Sequence, residues 1–166
     1  MNVAGALTED RGFADKAKDA EIGLSIVDAV YETDSELYKA VGVQVWEGRV
    51  LLSGAVVSAE NKDRVIAFAK GIPGVKMVID EMQLVAKDTL GEFLGDALIE
   101  ERLKARLLMA DGIPSANYSV RVVKGVVYLL GVSHSQEELD RVLQEARAIG
   151  SVDRVVSHVR VRAPGT

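Results

Sequence analysis

The sequence has no cysteine among its 166 residues. Disulfides, thiolate metal sites and cysteine nucleophiles are therefore excluded. Histidine is nearly absent too. His134 and His158 are the only two, and they stand 24 residues apart, without metal-ligand spacing. No cofactor or metal is expected. No apolar run approaches the roughly 18 residues that a membrane-spanning helix needs. Met1 is followed by NVAGALTEDRGF, which has neither a basic n-region nor an apolar h-region and does not read as a signal peptide. Excess positive charge is also missing: the net charge is −5 and the pI about 5.1. With no concentrated basic groove, nucleic acid is not an expected partner.

What is present is a folded composition, 48% hydrophobic and 27% charged, with its charge unevenly spread. Residues 1–85 hold 9 basic and 14 acidic side chains, and residues 86–166 hold 11 of each. The chain also repeats itself. Shifted by 77, residues 22–85 fall on 99–162 without a gap, and 17 of the 64 positions are identical. The matches include Val43/Val120, Val45/Val122, Gly48/Gly125, Val50/Val127, Leu52/Leu129, Gly54/Gly131, Ser58/Ser135 and Val78/Val155. A register this long indicates an internal duplication, with units too large and too few for a solenoid.

Each unit reads the same way. Ile22, Ile26 and Val30, or Ile99, Leu103 and Leu107, recur at helical spacing. VGVQVWEG or YSVRVVKG alternates as a strand, with Val41, Val43 and Val45, or Tyr118, Val120 and Val122, on one face. A tight turn at Glu47-Gly48 or Lys124-Gly125 leads into a second strand. A helix capped by Ser58 or Ser135 follows, the latter with Glu138 at capping-box spacing. GVKMVIDEMQLV or SVDRVVSHVRV closes the unit as a strand. The expected fold class is α+β: two αββαβ domains, each a three-stranded mixed sheet packed against two helices. The expected boundaries are a flexible segment 1–16, a first domain 17–86, a second domain 89–162 and a tail 163–166. Two helices on one sheet face would leave the other face toward solvent or a partner.

The pattern Val43, Val45, Gly48, Val50, Leu52, Gly54, Val56, Ser58, then Ile72, Gly74, Val75, Val78 resembles the BON domain of bacterial envelope and osmotic-shock proteins. The second copy departs at Ser133 and Ser151, which stand where the first has Val56 and Gly74. The tandem arrangement is similar to the two-BON-domain lipoproteins of the periplasm. That resemblance implies a non-enzymatic protein at the inner face of the outer membrane, binding phospholipid and supporting envelope integrity and the stress response. It further implies that anionic lipid meets the first helix of the second domain.

The glycine pairs invite comparison with a phosphate cradle, but such a cradle opens directly onto a helix N-terminus. Here Gly48 sits in a hairpin, and neither a Walker lysine nor a G-x-G-x-x-G is present. A turn glycine and a strand glycine at a bulge or close contact account for them better. Ser53 lacks the G-x-S-x-G elbow, and its counterpart is Leu130. The adjacent pairs Glu100/Glu101 and Glu137/Glu138 read as solvated surface. No set of residues converges on catalysis, so neither an enzyme nor a small-molecule substrate is expected.

The places where the copies differ carry more information. Thr89 with Glu92 reads as a cap for the first helix of the second unit. Leu90, Phe93, Leu94 and Leu98 extend its apolar surface where the first copy has Phe13, Lys16, Ala17 and Glu21. With Arg102, Lys104 and Arg106 nearby, this end is the expected lipid-binding surface, placed against an anionic bilayer. Strand alternation also puts Arg121, His158, Arg160 and Arg162 opposite the valines, a possible face for an anionic partner. The first copy has Gln44, Glu81, Gln83 and Val85 there. The alternative to lipid binding is a protein-interaction adaptor for envelope assembly machinery.

Overall fold

The computed structural model describes residues 9–87 and 95–162. They form two compact units, one built on residues 11–87 and the other on 95–162 together with residues 9 and 10.

In the first unit, helix α1 (Phe13–Thr33) buries Asp19, Ile22, Ile26 and Val30. It starts four residues before the expected domain boundary, because Gly12 is extended and Asp15 lies in the first turn, where a carboxylate complements the helix dipole. The extended Asp34 ends α1 and caps α2 (Ser35–Ala40), accepting the amides of Glu36 and Leu37. Strands β1 (Val41–Trp46) and β2 (Arg49–Val56) pair antiparallel. Glu47 and Gly48 between them have φ of 50° and 77°, the left-handed pair that a two-residue hairpin turn requires. Ser58 Oγ accepts the amide of Asn61 and starts α3 (Ala59–Gly71).

The closing strand of this unit is broken in two. Segments β3 (Met77–Asp80) and β4 (Gln83–Leu84) both run parallel to β2. Asp80 Oδ1 turns back to accept the Met82 amide at 3.0 Å, and Met82 drops into the core. The core lies between sheet and helices and is made by Ile22, Ile26, Val30, Val50, Leu52, Val56, Val65 and Ala69. Each such aliphatic side chain contributes roughly 1.5–3 kcal/mol by leaving water.

The second unit repeats the plan. Helix α4 (Asp96–Met109) leads through a 3-10 turn (Ser115–Asn117) to β5 (Tyr118–Val123) and β6 (Val126–Ser133). Helix α5 (Gln136–Arg147) is capped by Ser135, and β7 (Arg154–Val161) runs unbroken and parallel to β6. Ile99, Leu103, Leu107, Val127, Leu129, Val142 and Ala146 make its core. The sheet order in each unit places the second strand in the middle, so both units have the α+β arrangement of a mixed sheet with helices on one face.

The faces turned away from the helices do not present their central rows to solvent. Gln44, Trp46, Leu51, Ser53 and Ala55 in the first unit are buried, as are Val126, Tyr128, Leu130 and Val132 in the second. Within the first unit, the Arg11 guanidinium lies 4.1 Å from the Trp46 ring centroid, a cation–π contact that shields the indole.

Candidate functional site

The repeated glycines are scaffold. Gly54 and Gly131 have φ of 118° and 144°, and a Cβ on either would stand 1.9 Å from a backbone carbonyl oxygen, that of Ala40 or Asn117. The backbone entering the first strand passes directly over the second, and only glycine leaves room for it. The turn glycines have a different support. Asp19 accepts the amides of Glu47 at 2.7 Å and Gly48 at 2.9 Å. Asp96 accepts those of Lys124 at 2.7 Å and Gly125 at 2.9 Å. A helix carboxylate thus satisfies both amides of each left-handed turn. Extending the 77-residue register three positions upstream pairs Asp19 with Asp96 and would have found it.

A second polar cluster occupies the end of the second unit. The Tyr118 hydroxyl donates to Glu138 Oε1, and Ser133 Oγ donates to the same oxygen at 3.3 Å. His134 sets Nδ1 toward Glu138 and Nε2 toward Asp10, and Arg162 reaches Asp10 at 3.2 Å. Glu138 was expected at the surface. It is buried because its carboxyl is the acceptor for this cluster rather than the return arm of a capping box. Burial, and then the bond to Glu138, hold the Tyr118 phenol well above the ordinary tyrosine range. The group is a structural clasp. Both ring nitrogens of His134 face carboxylates, and the one Ser133 hydroxyl proton is shared between the Ser135 carbonyl oxygen and Glu138, so the histidine is not set against the serine as in a Ser–His pair. No metal-binding cluster of histidines and carboxylates occurs among the described residues.

The expected lipid-binding residues fall into three groups. Leu90, Phe93 and Leu94, with the cap at Thr89, lie outside the described residues. Leu98 is on α4 and 55% exposed, opposite the buried stripe of Ile99, Leu103 and Leu107. Of the cations, Lys104 pairs with Glu100 at 2.9 Å and Glu101 at 3.3 Å. The bond that Lys104 donates to Glu100 raises the lysine pKa above its ordinary range. Arg106 pairs with Glu145 at 2.7 Å. Glu100, read as solvated, also accepts the Val122 amide at 3.3 Å. Arg102 is exposed and stands one turn beyond Leu98. Met109, 57% exposed, continues the line at the helix end, eleven residues after Leu98 and so back on the same side of the helix, a spacing that the extra apolar residues at the helix start do not reveal. The outward face of α4 is thus Leu98, Arg102 and Met109.

The four basic sheet residues do not form one patch. Arg121 aligns with Tyr128 on one side of β6, whereas His158 and Arg160 align with Leu130 and Val132 on the other. The buried β6 row separates them. Arg162 is spent on Asp10. The valine side of the alternation is as expected for Val120, Val122 and Val159, which pack in the core, while Val161 at the sheet's end is 40% exposed.

Comparison with known proteins accords with this architecture. The chain is 39% identical over 128 residues to an uncharacterized protein in the gshII 5' region of Anaplasma centrale, covering 76% of this chain and 84% of that one. It is 29% identical to osmotically-inducible protein Y of Escherichia coli, over 98% of this chain and 77% of the relative. It is 27% identical to the outer membrane lipoprotein DolP of Haemophilus influenzae, over 93% and 80%. Residues 18–86 and 95–163 each match the family model of the BON domain, one match for each αββαβ unit, and the chain belongs to the BON-domain family.

Proposed function

We propose that this chain is a non-enzymatic phospholipid-binding protein of the bacterial envelope, acting at the periplasmic face of the outer membrane and supporting its integrity. In this reading the outward face of α4 is the contact surface. The observation that carries it is the line of Leu98, Arg102 and Met109. Two large apolar side chains project from a short helix whose core-facing stripe is already satisfied. Between them stands an arginine that makes no ion pair with any described residue. Such a face lies in an interface plane with its apolar groups in the acyl boundary and its cation at the headgroups. Leu90, Phe93 and Leu94 belong to the proposal through the apolar pattern preceding the helix, and Lys104 and Arg106 as flanking cations. Family membership and the similarity to an outer membrane lipoprotein support the compartment.

Sedimentation with vesicles tests the reading. The protein should pellet with phosphatidylglycerol-containing vesicles and much less with pure phosphatidylcholine, and Leu98→Asp with Met109→Asp should abolish pelleting. Equal behaviour with both lipids, or an unaffected double variant, overturns it.

A further inference from the structure

Helix α1 of the first unit has two apolar stripes, and the fold uses one. Ile22, Ile26 and Val30 enter the core. On the opposite side, Phe13, Ala17, Ala20, Leu24, Val27 and Tyr31 follow one another at alternating intervals of four and three residues. At about 100° per residue these six positions stay within a narrow strip along the whole helix. Phe13 is 89% exposed, Leu24 65% and Tyr31 58%. The Tyr31 ring meets Tyr38 of α2 edge-on, with centroids 5.4 Å apart, which extends the strip by one aromatic. The 4-3-4-3-4 spacing is the a/d pattern of a short coiled-coil seam. Ala17 and Ala20 in its N-terminal half let another helix come close.

The charges beside the seam select the occupant. Glu21 and Asp28 line one edge, and Lys16 and Gly23 the other. Apart from the buried Asp19, helix α1 exposes four carboxylates and two lysines, so an anionic lipid surface is repelled. We propose that the outward face of α1 is a self-association surface, on which α1 of a second copy of this chain packs in parallel. In a parallel pair, seam-flanking residues meet those about five positions on across the interface. Lys16 of each copy then faces Glu21 of the other. An ammonium has three donors, so this pair adds to the interactions Lys16 has within its chain. An antiparallel pair would set the acidic edge against itself. The interface is small, at the low end for specific association, so the dimer forms at high micromolar concentration.

The seam is independent of the α4 reading. Sedimentation velocity of the full chain between about 10 μM and 1 mM should show concentration-dependent dimerisation in the range of weak association. Leu24→Glu should raise the dimer Kd at least about tenfold with an unchanged far-ultraviolet circular dichroism spectrum. Lys16→Glu and Glu21→Lys should each weaken the dimer, and the double swap should restore it. Because the chain has no cysteine, Ala17→Cys reports orientation directly: oxidation should give a disulfide-linked dimer, since only a parallel pair brings the two positions together. The inference is overturned by a monomer throughout the range or by failure of Ala17→Cys to cross-link. It is equally overturned if Leu24→Glu reduces vesicle pelleting while leaving the sedimentation coefficient untouched, the result expected of a lipid-facing stripe.

Discussion

Asp19 and Gly48 are 29 residues apart in sequence and 2.9 Å apart between carboxylate and amide. Asp96 and Gly125 repeat that relationship with the same distance. The first helix of each unit is thereby tied to the hairpin turn beside it, and a strained left-handed turn finds both its amides satisfied. Asp96→Asn replaces one acceptor oxygen with a donor, which leaves a turn amide facing another N–H. The expected cost is roughly 1–3 kcal/mol, read as a lower urea midpoint. Asp19→Asn should cost more, because Asp19 also binds Arg11 at 2.8 Å and is buried.

Gly131→Ala tests the close backbone approach. Its Cβ would overlap the Asn117 carbonyl oxygen at 1.9 Å while φ is held at 144°. Relief requires parting β5 from β6 at their pairing end, and the expected loss is about 3 kcal/mol. Gly71→Ala, at the end of α3 with nothing within 4 Å of the added Cβ, should instead gain about 0.5–1 kcal/mol through the unfolded chain. Thermal denaturation of the two variants side by side separates a glycine that is required from one that is not. Equal midpoints would remove the steric account.

These contrasts show where the sequence was informative. A shift of 77 residues exposed the repeat, the turn glycines and the caps at Ser58 and Ser135, since each depends on local chemistry that recurs in register. Deviations inside one copy were harder to see. The kink at Asp80–Met82 has no local signature: Asp80 accepts the Met82 amide, and Ser157 at the matching position accepts the Val159 amide while β7 runs unbroken. Glu138 looked exposed because a helical neighbour pair says nothing about what approaches from Tyr118, 20 residues earlier. The outer stripe of α1 was present in the spacing of Phe13 to Tyr31. The core stripe of the same helix explained its periodicity first, and two opposed apolar faces weaken each other's amphipathic signal.

The clasp around Glu138 gives an alkaline dependence. The Tyr118 phenol is raised in the folded state, so the folded chain keeps a proton that the unfolded chain releases near the ordinary tyrosine pKa of about 10. The stabilisation is complete below that pH and is lost as pH rises through it toward the folded value. Urea midpoints should therefore fall above about pH 10 in the native sequence. Tyr118→Phe should flatten that fall while lowering stability at neutral pH, because Glu138 loses a donor in a buried place. An unchanged alkaline slope in the variant would show that Tyr118 does not titrate between the two states.

If α4 is the lipid contact, Arg102 on the helix should matter for binding and the basic residues of the strands should not. Arg102 lies on the exposed face beside Leu98, and a single basic side chain near an anionic surface contributes about 1 kcal/mol. Arg102→Ala should therefore reduce partitioning onto phosphatidylglycerol-containing vesicles about fivefold and leave partitioning onto phosphatidylcholine unchanged. Raising salt should remove most of the difference between variant and parent, since the lost term is screened over about 8 Å at physiological ionic strength. Arg121→Glu and Arg160→Glu flank the buried β6 row on opposite sides and should leave partitioning within about twofold of the parent, less than the change expected for one removed surface cation. Arg162→Glu should loosen the contact to Asp10 without altering vesicle binding. A larger loss from the strand substitutions than from Arg102→Ala would move the lipid surface from the helix to the sheet edge.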